Sequence, residues 1–171
     1  TKNMQSFPCI KNILIFLIGI LIIVVEGSIT NYFQIAGSSI NFLLIYMTII
    51  SLYLDEMEVG ILGALIGFVK DISVGSIFGV NALILAIISY SISHLKDKIY
   101  KTSYITIFAL VFITSLVDSI INITLLGQVY QTYDMMSIVI KGIVTIPLVN
   151  SLGSLIFYLL FKNSILKLKR D

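Results

Sequence analysis

The chain has 171 residues, 58% of them hydrophobic and only 12% charged, about half the ~25% charged fraction of an ordinary soluble domain. That excludes a water-soluble globular domain. A nucleic-acid binder is excluded too, because the net charge of +2 gathers into no long basic tract. The lone Cys9 has no partner for an internal disulfide.

In chain order the apolar runs are Ile13–Val25, Ile40–Leu54, Val59–Val69, Ile77–Ile92, Ile105–Leu126 and Ile138–Phe161. A bilayer core needs ~20 mostly apolar residues per helix, and five of the six runs reach that length once flanking neutral residues are added. The first run follows Lys2 and Lys11 as a secretory signal would. No small-x-small site follows Val25, however, so it is read as a retained helix.

The third run would rise only ~16 Å as a helix, and charge decides whether it crosses. With six crossings and an internal N-terminus, Lys2, Lys11, Lys96, Lys98, Lys101, Lys162, Lys167, Lys169 and Arg170 face the cytoplasm, nine of the eleven basic residues. A re-entrant third segment would leave four inside and seven outside. The positive-inside rule selects the first arrangement. The expected fold is an all-α integral membrane protein, a six-transmembrane-helix bundle in one domain. Its spans are roughly 12–27, 39–54, 57–71, 77–94, 104–126 and 138–161, with both termini cytoplasmic. The loops are short, and no extramembrane domain fits between the spans.

Several residues stand out within these spans. Gly60, Gly63 and Gly67 line one face of the third helix and allow close approach of a second backbone, from a neighbour in the bundle or from a partner. Lys70 and Asp71 follow. Adjacent residues do not face each other on a helix, so Lys70 is expected to reach for the interface. Asp71 is expected to accept from the amides of Ile72 to Gly75 and fix the turn into span four; the alternatives are a partner contact, or proton or substrate chemistry. Gly75 and Gly79 bracket that turn, and Asn81 could cap the helix that begins there.

Asp118 lies in the middle of the fifth run, where an acid is expected to face the bundle interior with a partner; Ser115, Ser119, Asn122 and hydroxyls on other spans are candidates. Glu26 closes the first span. Asp55, Glu56 and Glu58 fall in an inner loop, solvated or facing a basic partner. Lys96, Lys98 and Lys101, with Lys167, Lys169 and Arg170, form a basic cytoplasmic rim suited to anionic lipid.

Catalytic constellations are absent from the sequence. One His and one Cys, far apart, make neither a zinc set nor a Cys–His dyad, and no G-x-S-x-G, H-E-x-x-H or P-loop occurs. The reading is a protein that is not an enzyme and needs no metal or cofactor.

The segment Gly63-Ala-Leu-Ile-Gly67-Phe68-Val69-Lys70-Asp71, followed by Gly75-Ser-Ile-Phe-Gly79-Val-Asn81-Ala82-Leu83 and an apolar helix reaching Tyr90, resembles the core motif of the rod shape-determining protein MreD family. The matching motif positions are Gly67, Phe68, Asp71, Gly75, Gly79, Ala82 and Leu83. Length, span number and basic tail agree as well. The chain departs from the family in having Ser38-Ser39-Ile40-Asn41 where proline is common, and Val69-Lys70 where leucine commonly precedes the Asp. The resemblance implies a non-enzymatic component of bacterial cell-elongation machinery in the cytoplasmic membrane. Its implied partners are a bitopic MreC-like protein, actin-like MreB filaments and peptidoglycan synthases. It also implies a fold similar to the substrate-binding subunits of energy-coupling-factor transporters.

Such a vitamin-binding subunit is the alternative function. Tyr32, Phe33, Tyr130 and Tyr133 at the outer face favour it. The absence of tryptophan and of an A-x-x-x-A patch in span one speak against it.

Overall fold

A computed structural model describes residues 7–29, 40–75, 77–98, 103–129 and 139–168. Among these residues the regular structure is all helical. We number the α-helices α1 (Phe7–Ile29), α2 (Phe42–Ile50), α3 (Glu56–Val74), α4 (Val80–Leu95), α5 (Tyr104–Val129) and α6 (Ile146–Leu168).

Three of them are long and apolar enough to cross a membrane: α1 over Lys11–Ser28, α5 over Tyr104–Leu125, and α6 with the turn before it over Gly142–Leu160. The third run is longer as a helix than its apolar stretch suggests. α3 has 19 residues, a rise of ~28 Å, because the helix continues through the charged residues at both its ends. The second is shorter. α2 has nine residues, and the chain then turns at Ser51–Leu54, where the expected span ran on to 54.

α2 is the centre of the molecule. Its sequence, FLLIYMTII, is apolar all round, as befits a helix with no exposed face, and Leu43 to Ile50 are all buried. Leu43, Tyr46, Met47 and Ile50 pack with Ile15 and Ile23 of α1, Leu62 and Ile66 of α3 and Leu85 of α4. Leu44, Ile45 and Ile49 pack instead with Ile107 and Val111 of α5 and Tyr158 of α6. Around this hub, α3 lies closely against α4, and α5 against α6. α1 is peripheral. It buries a stripe at Ile15, Gly19 and Ile23 and leaves Leu14, Leu17, Leu21 and Val24 exposed. Large apolar side chains on the outside and serines, Asp71, Asp118 and Asn150 inside is the pattern expected where lipid is the solvent.

Local chemistry sets the helix ends. The Asn41 Oδ1 atom accepts from the Leu44 N–H at 3.1 Å and caps α2. Glu56 and Glu58 sit in the first turn of α3, where the helix dipole favours acids. Gly75, at φ 67°, ends α3 in the left-handed conformation, and Gly79, at φ 88°, is the N-cap of α4; side chains rarely tolerate this region. Before α6, Lys141–Thr145 form a π-helical turn. Pro147 follows, with no N–H to give the Ile143 carbonyl, a local cause for a break in the helical ladder.

Candidate functional site

Buried polar groups collect at one end of the bundle, where α1 and α3 finish and α2 and α4 begin. We call it the Lys70 end. The Lys70 ammonium pairs with the Glu26 carboxylate at 3.0 Å and donates to Asn41 Oδ1 at 3.1 Å. The two charged side chains are only 12% and 14% exposed. The second Glu26 oxygen accepts from the Leu43 N–H at 3.0 Å. One lysine thus joins the end of α1, the cap of α2 and its own helix. Sequence reasoning sent Lys70 outward to the interface; it turns inward because Glu26 and Asn41 offer it oxygen ligands there.

Asp71 is 1% exposed. Its carboxylate accepts from the backbone N–H groups of Gly79 at 3.0 Å, Asn81 at 3.1 Å and Ala82 at 3.2 Å, and from the Asn81 side-chain amide at 2.8 Å. These are first-turn donors of α4, which no residue inside that helix can satisfy. A carboxylate there also meets the positive end of the helix dipole. The expected donor set, the amides of Ile72 to Gly75, is not the one used, because α3 continues to Val74 and spends those amides on its own ladder. Asn81 does not cap α4 either; it donates to Asp71.

From the other side come α5 and α6. Asp118, 8% exposed, accepts from the Asn122 amide at 3.1 Å and lies within electrostatic reach of Asn41, Lys70 and Glu26. Of its other candidate partners, Ser115 accepts from the Asn150 amide at 2.7 Å, and Ser119 Oγ has no hydrogen-bond partner. Asn150, fully buried, accepts from the Asn41 N–H at 2.9 Å. Nothing in the sequence marked Asn41 and Asn150 as the centre of this cluster, since each is a single asparagine at the edge of an apolar run.

The three glycines have unequal surroundings. A Cβ on Gly67 would stand 2.6 Å from Ala82 Cα and from the Asn81 carbonyl oxygen, and one on Gly63 would stand 2.8 Å from the Leu85 carbonyl oxygen. Both lie against the α4 backbone. At Gly60 the nearest atoms are those of Tyr90, at 3.8 Å, an ordinary contact. Phe68 and Leu83 point outward, Phe68 against Phe78 with ring centres 5.0 Å apart.

At the opposite end, Lys96 donates to the Leu54 carbonyl at 2.8 Å and pairs with Asp55 at 3.0 Å, while Ser93 donates to the same carbonyl at 2.7 Å. His94 Nδ1 lies 3.1 Å from Glu56. Two members of the acidic run, Asp55 and Glu56, therefore meet partners of their own chain. Lys98 is exposed. Lys101, Lys169 and Arg170, the Lys167 side chain, and Tyr32, Phe33, Tyr130 and Tyr133 lie outside the described residues. No group of three or more His, Cys, Asp or Glu side chains able to hold a metal occurs among the described residues.

A cleft of about 330 Å³ opens between α4 and α5, lined by Val80, Leu83, Ile84, Ile87, Ile88, Val117, Ile121 and Leu125. It has no polar lining, so it offers neither a nucleophile nor a hydrogen-bond donor.

These features define a helical membrane protein that spends its buried charge on joining its own helices. The chain belongs to the rod shape-determining protein MreD family, whose sequence profile matches residues 9–166. The family's role is the determination of rod shape. Comparison with curated proteins and with solved structures gives no match.

Proposed function

We propose that the protein crosses the bacterial cytoplasmic membrane six times and serves there as a non-enzymatic scaffold of the cell-elongation machinery. In this reading it binds an MreC-like bitopic protein and, directly or through it, actin-like filaments and peptidoglycan synthases. The observation that carries the reading is the internal use of polar groups. Glu26, Lys70 and Asp71 are engaged within the chain, whereas the surfaces left over are broad apolar helix faces. A surface of that kind suits helix docking and lipid, not substrate turnover.

Six crossings are supported by the alternation of the helices between the Lys70 and Lys96 ends and by the positive-inside count. The Lys96 end is then cytoplasmic.

The test is replacement of the resident family member in a rod-shaped bacterium. Rod shape should return with this chain, and an MreC-like protein should co-purify with it from mild detergent. Round cells despite normal accumulation in the membrane, or a vitamin retained through purification, would refute the scaffold reading.

A further inference from the structure

The bundle is built as two bodies on one spine. α3 and α4 are fastened backbone to backbone at Gly63 and Gly67 and by the Asp71 cap. α5 and α6 form a second close pair, and they reach the rest chiefly through α2. α2 itself shows a different face to each body: Leu43, Tyr46, Met47 and Ile50 to one, Leu44, Ile45 and Ile49 to the other.

Polar contacts follow the same division. Asn150 of α6 takes the Asn41 N–H, Asp118 of α5 lies within electrostatic reach of the Asn41 side chain, and Thr114 of α5 meets Thr48 at 3.3 Å. All three end on α2 or its cap. On the far flank, α4 and α5 are consecutive in the chain, yet the apolar cleft separates them. Leu110 and Ile121 of α5 touch the Ile84, Ile88 and Ile92 cluster beside it. Apolar contacts of this kind exchange readily for lipid, whereas a polar contact does not.

We propose that the α5–α6 pair moves as a unit against α1, α3 and α4, turning on α2 and latched at Asn41, so that the cleft between α4 and α5 opens and closes sideways to the bilayer. Discrete packed arrangements joined by a hinge are a common form of conformational switch. Asn41 suits the latch because it also binds Lys70, which couples the moving pair to the Glu26–Lys70 bridge.

Cysteine cross-linking of the full chain in native membranes tests this. In a Cys9→Ser background, Ile84→Cys with Ile121→Cys reports the cleft. Gly60→Cys with Tyr90→Cys reports the α3–α4 body; there the nearest Cβ separation is 3.8 Å, within disulfide range. The latch is broken from the moving side by Asn150→Ala and, separately, by the milder Asp118→Asn. In whichever of these variants accumulates, the oxidation rate of the cleft pair should change several-fold while that of the control pair stays constant. Equal changes in both pairs, no change in the cleft pair, or failure of both variants to accumulate where the parent does would overturn the proposal.

Discussion

Asp71 and Lys70 are neighbours in sequence and serve different helices. Removal of the Asp71 carboxylate leaves three N–H groups at the start of α4 without acceptors. Loss of a helix cap costs ~1 kcal/mol and each stranded buried donor ~1–3 kcal/mol. Asp71→Ala should therefore lower stability by at least about 2 kcal/mol, with Asp71→Asn intermediate, as read from unfolding in detergent. Lys70→Met should cost more, about 3 kcal/mol, because it takes from the buried Glu26 carboxylate the cation it pairs with. Adding Glu26→Gln to Lys70→Met should restore part of that loss. If the double variant is less stable than the single, Lys70 and Glu26 are not a coupled pair. The presence of Glu26, Lys70, Asp71 and Asp118 at helix ends or inside spans was legible in the sequence. Their pairings were not, since each partner lies on another helix and only the packing brings Glu26 to Lys70, 44 positions on.

Among the elements, the α3–α4 hairpin is the best specified by sequence. Spacing alone put Gly60, Gly63 and Gly67 on one face, yet it could not rank them, because their neighbours are backbone atoms in two cases and a tyrosine ring in the third. The contacts now rank them. Gly67→Ala should push α4 away and destabilise by ~1–3 kcal/mol, the usual range for overpacking, while Gly60→Ala should lie within ~0.5 kcal/mol of the parent. Equal thermal shifts for the two would contradict this packing. The second apolar run outlasts its helix, α2, for a physical reason. Its apolar run extends through Leu52 and Leu54, but those residues are buried in a turn, and burial in a turn looks like burial in a helix when only hydropathy is read.

For the molecule as a whole, the proposed orientation is open to direct labelling. Ser73 and Lys98 are exposed and lie at opposite ends. In the Cys9→Ser background, Ser73→Cys should react with an impermeant maleimide on intact spheroplasts, and Lys98→Cys only after permeabilisation. The reverse pattern would place the basic rim outside and remove the charge basis for the topology. Composition gave the membrane class, and charge is the basis of the proposed orientation. The central position of the second helix came from neither, because a helix surrounded by protein and one surrounded by lipid have the same apolar composition.

The Asp71 cap also bears on how the protein is made. α3 carries Glu56, Glu58, Lys70 and Asp71, and an Asp or Lys in the centre of a span opposes insertion by ~2.5–3.5 kcal/mol; near an end the penalty is smaller but of the same sign. The acceptors for Lys70 are in place once Glu26 and Asn41 have been synthesised. The donors for Asp71 come only with Gly79, Asn81 and Ala82, after α3 has been completed. In the proposed six-crossing topology the third helix is thus left with an unanswered charge until the fourth begins to emerge, and the two would leave the insertion machinery together as a hairpin.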